Sequence, residues 1–98
     1  MAGKKLSEKG PVSDLKDIPG VGVSMEAYLQ NIGIHCVADL VGKDPEELYH
    51  RDCLEKGFKE DRCVLYVFRC AVYYAEHSQP EPEKLNWWYW KDKDYPEQ

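Results

Sequence analysis

Five consecutive residues near the N-terminus constrain the fold of this chain more than any others: they are Ile18-Pro19-Gly20-Val21-Gly22. Pro19 cannot continue a helix, and it disfavours helical dihedral angles at the residue before it. The two glycines accept positive φ values and leave the backbone without a Cβ atom. A helix that enters this stretch must therefore end in it, and the chain must turn.

Apolar residues after the turn recur at i, i+3, i+4 and i+7, the spacing of one buried helical stripe. They are Met25, Tyr28, Leu29 and Ile32. Gly33 is suited to end this helix in a left-handed conformation, and Ser13 offers a cap for a short helix before the turn. The pattern predicts a short helix, a tight turn and a second helix that begins at Gly22.

The start of this second helix is the candidate functional site. The first backbone N–H groups of a helix have no partner inside it, and they carry a partial positive charge that attracts anions. Gly20 and Gly22 allow an anion to approach the backbone closely. These features predict contact with phosphate groups that does not depend on base sequence.

The turn resembles a helix-hairpin-helix motif, which binds the nucleic-acid backbone. The likeness rests on Leu15 three residues before Ile-Pro-Gly-Val-Gly, and on Ala27 and Leu29 after it. Residues 61–73 (DRCVLYVFRCAVY) and 87–92 (WWYWKD) extend the likeness. Over roughly residues 13–92 the chain is similar to a small bacterial family of pathogenicity-locus or mitomycin-resistance proteins. The resemblance implies weak, non-specific DNA or RNA binding with a role in DNA repair or resistance.

In similar hairpins a monovalent cation bridges turn carbonyls to a phosphate, which here implies the carbonyl groups of Lys16, Ile18 and Val21. Apart from this cation, which only the resemblance implies, no cofactor is expected. The chain departs from the motif at residues 23–26, which are Val-Ser-Met-Glu where binding hairpins often carry a lysine or arginine. The predicted backbone-binding residues are Lys16, Ile18, Gly20, Val21, Gly22, Val23 and Ser24.

The charge balance limits how strongly the chain can bind nucleic acid. Among 98 residues, 18 acidic side chains outnumber 13 basic ones, for a net charge of −5. Any binding must therefore come from a local patch, and its affinity should be weak. A secondary basic patch consists of Arg51, Lys56, Lys59 and Arg62. Four interleaved acidic residues favour a solvated surface of mixed charge there, with phosphate contact as the alternative.

Composition and turn residues divide the chain into three parts. Residues 1–12 are predicted to be a flexible basic tail, residues 13–78 a helical domain, and residues 79–98 a Pro-rich linker with a Trp-rich segment. We expect an all-α fold of about five helices. It contains one clear helix-hairpin-helix unit and a degenerate second unit around Gly57. The fourth helix is expected to run from the Asp44 cap to about Arg51, and the central one from Cys63 to Ala75.

The tryptophans at 87, 88 and 90 are expected to close the core, with stacking on exposed bases as the alternative. Arg69, in the middle of the central helix, is expected to pair with a carboxylate, either Asp61 or Asp92.

Several classes of function lack support in the sequence. No nucleophile and base pair, phosphate loop or close carboxylate pair stands out, so we expect a non-enzymatic protein. The cysteines at 36, 53, 63 and 70 lack the close spacing of zinc sites, which predicts reduced thiols and no metal. No apolar run is long enough for a signal peptide or a membrane span, which predicts a cytoplasmic protein. The rival hypothesis is a protein-interaction or oligomerisation module, including a homodimer, that retains the hairpin structurally.

Overall fold

The computed structural model describes residues 13–96. The predicted basic tail, residues 1–12, lies outside the described residues. Between residues 13 and 96 there is no β-strand, and the all-α prediction is confirmed. The α-helices are α1 (Val23–Asn31), α2 (Pro45–Lys56) and α3 (Arg62–Glu76). The 3₁₀ helices are η1 (Leu15–Asp17), η2 (Val37–Leu40), η3 (Pro82–Leu85) and η4 (Trp87–Trp90).

Two of the five helices expected from the sequence are single 3₁₀ turns. The first, η1, has three residues because Ile18 takes an extended conformation before Pro19. The N-cap residue of η1 is Asp14 rather than Ser13, although the Ser13 hydroxyl does accept a hydrogen bond of 3.1 Å from the Leu15 amide. The other is η2, with four residues between Cys36 and Val41.

The first amide of η2 is satisfied from a distant part of the chain. Cys36 supplies no side-chain cap, and the Asp14 carboxylate accepts a hydrogen bond of 2.7 Å from the Val37 amide instead. An acidic residue at the start of η1 could favour the positive end of that helix, but Asp14 bonds across 23 positions of sequence. Its carboxylate in fact ties the chain before the turn to η2.

Helix α2 is one turn longer than the sequence suggested. It begins as expected, with the Asp44 carboxylate accepting a hydrogen bond of 3.0 Å from the Glu46 amide. The predicted end near Arg51 is wrong, since the helix continues to Lys56 and ends where Gly57 takes φ +81°. The extra turn forms because Asp52 is fully buried and its carboxylate accepts a hydrogen bond from the Lys56 ammonium at 2.9 Å.

Helix α3 is the centre of the molecule, and its predicted position is confirmed to within one residue at each end. It packs against α2, η2, η3 and η4. Its buried residues are Val64, Leu65, Val67, Phe68, Arg69, Cys70, Ala71, Val72 and Tyr73.

The C-terminal tryptophans differ in burial. The Trp90 side chain is fully buried beside Cys70 and Tyr73 and closes the core as expected. Trp87 is half-buried, whereas Trp88 is 59% exposed. One tryptophan of the three therefore remains largely accessible to solvent.

Arg69 is buried and paired, but not with the partners suggested by the sequence. Its guanidinium lies 2.6 Å from the Glu46 carboxylate and 3.8 Å from that of Asp94, and it donates a hydrogen bond to the Trp90 carbonyl oxygen. Asp61 is not available, because its carboxylate caps α3 by accepting a hydrogen bond from the Cys63 amide at 2.8 Å.

Candidate nucleic-acid interface

The turn between η1 and α1 is closed by one backbone hydrogen bond. The Val21 amide donates to the Ile18 carbonyl oxygen at 3.0 Å, across Pro19 and Gly20. Gly20 has φ +90°, a conformation that favours glycine, and proline followed by glycine is the typical sequence of such a turn. The side chains of Ile18 and Val21 are buried, with 1% and 6% exposed. These two residues therefore anchor the turn to the core and have little surface accessible to a ligand.

Helix α1 begins with amide groups that no side chain caps. Gly22 is its N-cap residue, with φ −103°, so the left-handed conformation that glycine would allow is not used there. Within residues 13–96, no side chain accepts a hydrogen bond at this cap, and the first amides have no acceptor inside the helix. Gly22, Val23 and Ser24 are all exposed. A Cβ atom placed on Gly22 would meet no atom within 4 Å, so the approach to these amides is open.

Side-chain charge adds little attraction for an anion at this turn. Residues 16–26 contain one lysine, Lys16, and two acidic residues, Asp17 and Glu26. Lys16 and Asp17 are both exposed on η1, and Glu26 is half-buried in the first turn of α1. The backbone amides are therefore the main anion-attracting groups of this site.

The Trp-rich segment lies against one side of the turn, where Trp87 is next to Gly20. A Cβ atom on Gly20 would lie 3.7 Å from Cδ1 of Trp87, so the indole lies beside the face of the turn where Gly20 has no side chain. The Trp87 ring packs edge-on against that of Trp88, with ring centroids 5.6 Å apart. Local sequence patterns could not reveal this contact, because it joins the two ends of the described chain.

The four residues of the predicted secondary basic patch have different surroundings in the structure. Arg51 and Lys56 bind other groups of the protein, whereas Lys59 and Arg62 form no ion pair within the described part of the chain. Arg51 donates a hydrogen bond of 3.0 Å to the Ile32 carbonyl oxygen, at the end of α1. The Lys56 ammonium binds the carboxylates of Asp52 and Glu60. Lys59 and Arg62 are exposed and line a common cavity.

Lys56 is held firmly in its position. Its ammonium group lies 3.0 Å from the ring centroid of Tyr28, in addition to its two carboxylate partners. Burial opposes the charge on Lys56, but the hydrogen bonds to Glu60 and Asp52 outweigh it and raise the pKa of this amine. Lys56 thus joins α1 to α2 and has little freedom to contact phosphate.

The cysteines show no arrangement for a metal. All four are free thiols, and no group of three or more histidine, cysteine or acidic side chains is placed to hold a metal ion between residues 13 and 96. Cys70 is enclosed in the core, and burial raises the pKa of its thiol to about 11. Within the same residues, no helix has the length and apolar character needed to cross a bilayer.

These features define a small helical domain with an exposed, uncapped helix start after a Pro-Gly turn. The chain matches the model of the pathogenicity-locus family, Cdd1, over residues 8–95, and it belongs to that family. It is also 37% identical to the mitomycin resistance protein McrB of Streptomyces lavendulae over 78 residues, which cover 80% of this chain and 70% of McrB. No solved structure matches the chain. The family resemblance seen in the sequence is therefore confirmed, and the helix-hairpin-helix assignment stays a prediction.

Proposed function

We propose that this protein binds the sugar-phosphate backbone of nucleic acid, without catalysis and without sequence preference. In this proposal η1, the turn and α1 form a helix-hairpin-helix unit, and α2 and α3 around Gly57 form a degenerate second one. The observation that supports it most is the exposed start of α1, whose first amides no side chain caps. Such amides can donate hydrogen bonds to a phosphate oxygen.

A monovalent cation can belong to the same site. The carbonyl oxygens of Lys16, Ile18 and Val21 are its proposed ligands. The Ile18 oxygen already accepts the hydrogen bond from the Val21 amide, and a carbonyl oxygen has a second lone pair for a cation. A cation there would offset part of the repulsion between a phosphate and Asp17.

Affinity is expected to be weak, because the chain carries a net charge of −5 and one lysine at the turn. The name of McrB assigns that relative to mitomycin resistance. A role in resistance or DNA repair is therefore part of the proposal, and non-specific backbone contact is compatible with it.

Anisotropy titration of labelled single-stranded and duplex DNA tests this function. With about two to four phosphates engaged, the logarithm of the affinity should fall against the logarithm of salt concentration with a slope of roughly −2 to −4. Gly22→Ala should fold normally, since the added methyl group meets no protein atom, yet it should weaken binding by obstructing the phosphate. Absence of salt-dependent binding at low ionic strength would reject the function.

A second candidate function is protein interaction or oligomerisation with a purely structural hairpin. The net charge favours it, as does the Val23 side chain, which is 72% exposed at the helix start. Sedimentation equilibrium of the wild type and of Val23→Ser tests this alternative. A wild-type homodimer that the Val23→Ser substitution dissociates would support this alternative. If the wild type and Val23→Ser are both monomeric, the hairpin does not mediate self-association.

A further inference from the structure

A cavity of about 580 Å³ opens along α2 and the loop that follows it, and it reaches Arg62 at the start of α3. We call it the α2–α3 groove. Its apolar lining consists of Tyr49, Cys53, Leu54 and Phe58. Leu54 and Phe58 are 68% and 59% exposed, although both are large apolar side chains. Apolar side chains that share an open cavity in this way are typical of an interaction site.

Two cations line the same groove without acidic partners. Among residues 13–96, neither Lys59 nor Arg62 forms an ion pair, and the Arg62 guanidinium lies 6.0 Å from the ring centroid of Tyr49. Since neither charge is neutralised within the described chain, both are available to a negatively charged ligand.

The carboxylate that lines the groove and the two carboxylates that directly precede Arg62 already have partners. Glu46 lines the groove, but its carboxylate is bound by Arg69 at 2.6 Å. Glu60 is bound by Lys56, and Asp61 caps the amide of Cys63. The groove therefore combines an apolar floor with a local excess of positive charge, although the protein as a whole is acidic.

We propose that the α2–α3 groove binds an acidic amphipathic helix of a protein partner. Apolar side chains one turn apart on that helix would pack against Leu54 and Phe58, and its carboxylates would pair with Lys59 and Arg62. Recognition of amphipathic helices by apolar grooves follows this pattern in other proteins. The positive charge of the groove is complementary to the negative charge of such a helix. An acidic helix can carry carboxylates next to the two cations and apolar side chains elsewhere.

A nucleic acid fits the groove less well. Its charge is continuous along the backbone, whereas the cations in the groove lining, Lys59 and Arg62, lie beside a largely apolar floor. The largely apolar lining would also remain without an apolar partner. The proposal does not depend on the hairpin, so it can be tested independently of the function proposed above.

Selection of random peptides displayed on phage, with the whole protein as the target, tests the proposal. We expect an acidic consensus with apolar residues at i and i+3 or i+4. A synthetic consensus peptide is then titrated by fluorescence polarisation against the wild type, Phe58→Ser and Arg62→Glu. Both residues are exposed, and a glutamate at the start of α3 suits the helix dipole, so the variants should fold normally. Each should bind the peptide at least about tenfold more weakly, a typical loss for an interface anchor.

Lys43→Glu is the matched control, because it reverses an exposed charge that belongs neither to the groove lining nor to the turn, and it should leave peptide binding unchanged. The proposal is overturned if no acidic amphipathic consensus is selected, or if the peptide binds both groove variants as tightly as the wild type. It is also overturned if Arg62→Glu weakens binding of single-stranded DNA and leaves peptide binding intact, since the groove would then serve nucleic acid.

Discussion

The Nη1 atom of Arg69 donates a hydrogen bond of 2.8 Å to the backbone carbonyl oxygen of Trp90. This contact joins the middle of α3 to the Trp-rich segment, across 21 positions of sequence. The other end of the guanidinium binds Glu46, the second residue of α2. One buried side chain thereby fixes the relative positions of α2, α3 and η4.

Arg69→Met should lower the free energy of unfolding by about 1.5–3 kcal/mol, the usual contribution of hydrogen bonds to a charged group. The methionine keeps much of the side-chain volume and leaves the Trp90 carbonyl oxygen without its donor. Glu46→Gln is the control: the Glu46 side chain is 53% exposed, so its loss of charge should cost less than about 1 kcal/mol. Urea denaturation measures both, and equal losses for the two variants would contradict this assignment.

Trp90→Ala should destabilise the protein by about 3–5 kcal/mol, because it removes a fully buried ring and leaves a cavity. It also removes the hydrogen bond of 2.9 Å from the indole Nε1 to the Lys84 carbonyl oxygen. Trp88→Ala, which removes a 59% exposed ring, should change stability by less than about 0.5 kcal/mol. If thermal denaturation shows similar effects for both, the Trp-rich segment does not close the core through Trp90.

Asp52 should make stability depend on pH. Burial raises the pKa of its carboxyl despite the nearby Lys56 ammonium, so the folded state keeps this proton to higher pH than the unfolded chain. An unfolded aspartate has a pKa of about 3.9, and the contribution of Asp52 therefore falls as pH rises above about 4. Asp52→Asn cannot titrate. Relative to the wild type, its free energy of unfolding should therefore increase as pH rises from about 3.5 to 7. Urea denaturation across this range would refute the prediction if the difference stayed constant or fell.

Local signals allowed much of the fold to be predicted. Pro19 and Gly20 identified the turn, Asp44 and Pro45 the start of α2, and the apolar run located α3. Each of these signals acts within a few residues of the feature that it specifies. The mixed charges after Arg51 concealed the last turn of α2, since a buried Asp52 paired with Lys56 looks in sequence like exposed loop residues.

Contacts between distant segments could not be predicted. Nothing near Asp14 indicates that its carboxylate caps Val37, and nothing near Trp87 indicates that it lies on Gly20. The same limit applies to the candidate sites. The exposed start of α1 follows from a local pattern, whereas the separation of Lys59 and Arg62 from Arg51 and Lys56 depends on which side chains the folded chain brings together.

The most direct test of the proposed function compares DNA binding by two variants with the same added charge. Ser24→Asp places a carboxylate in the first turn of α1, where the helix dipole should keep or slightly raise stability while the charge repels phosphate. Ser78→Asp adds the same charge at an exposed position just after α3. Anisotropy titration with single-stranded DNA at low salt should show Ser24→Asp binding at least about fivefold more weakly than Ser78→Asp, as expected for charges at close range. Equal binding by the two variants would show that the start of α1 is not a phosphate site.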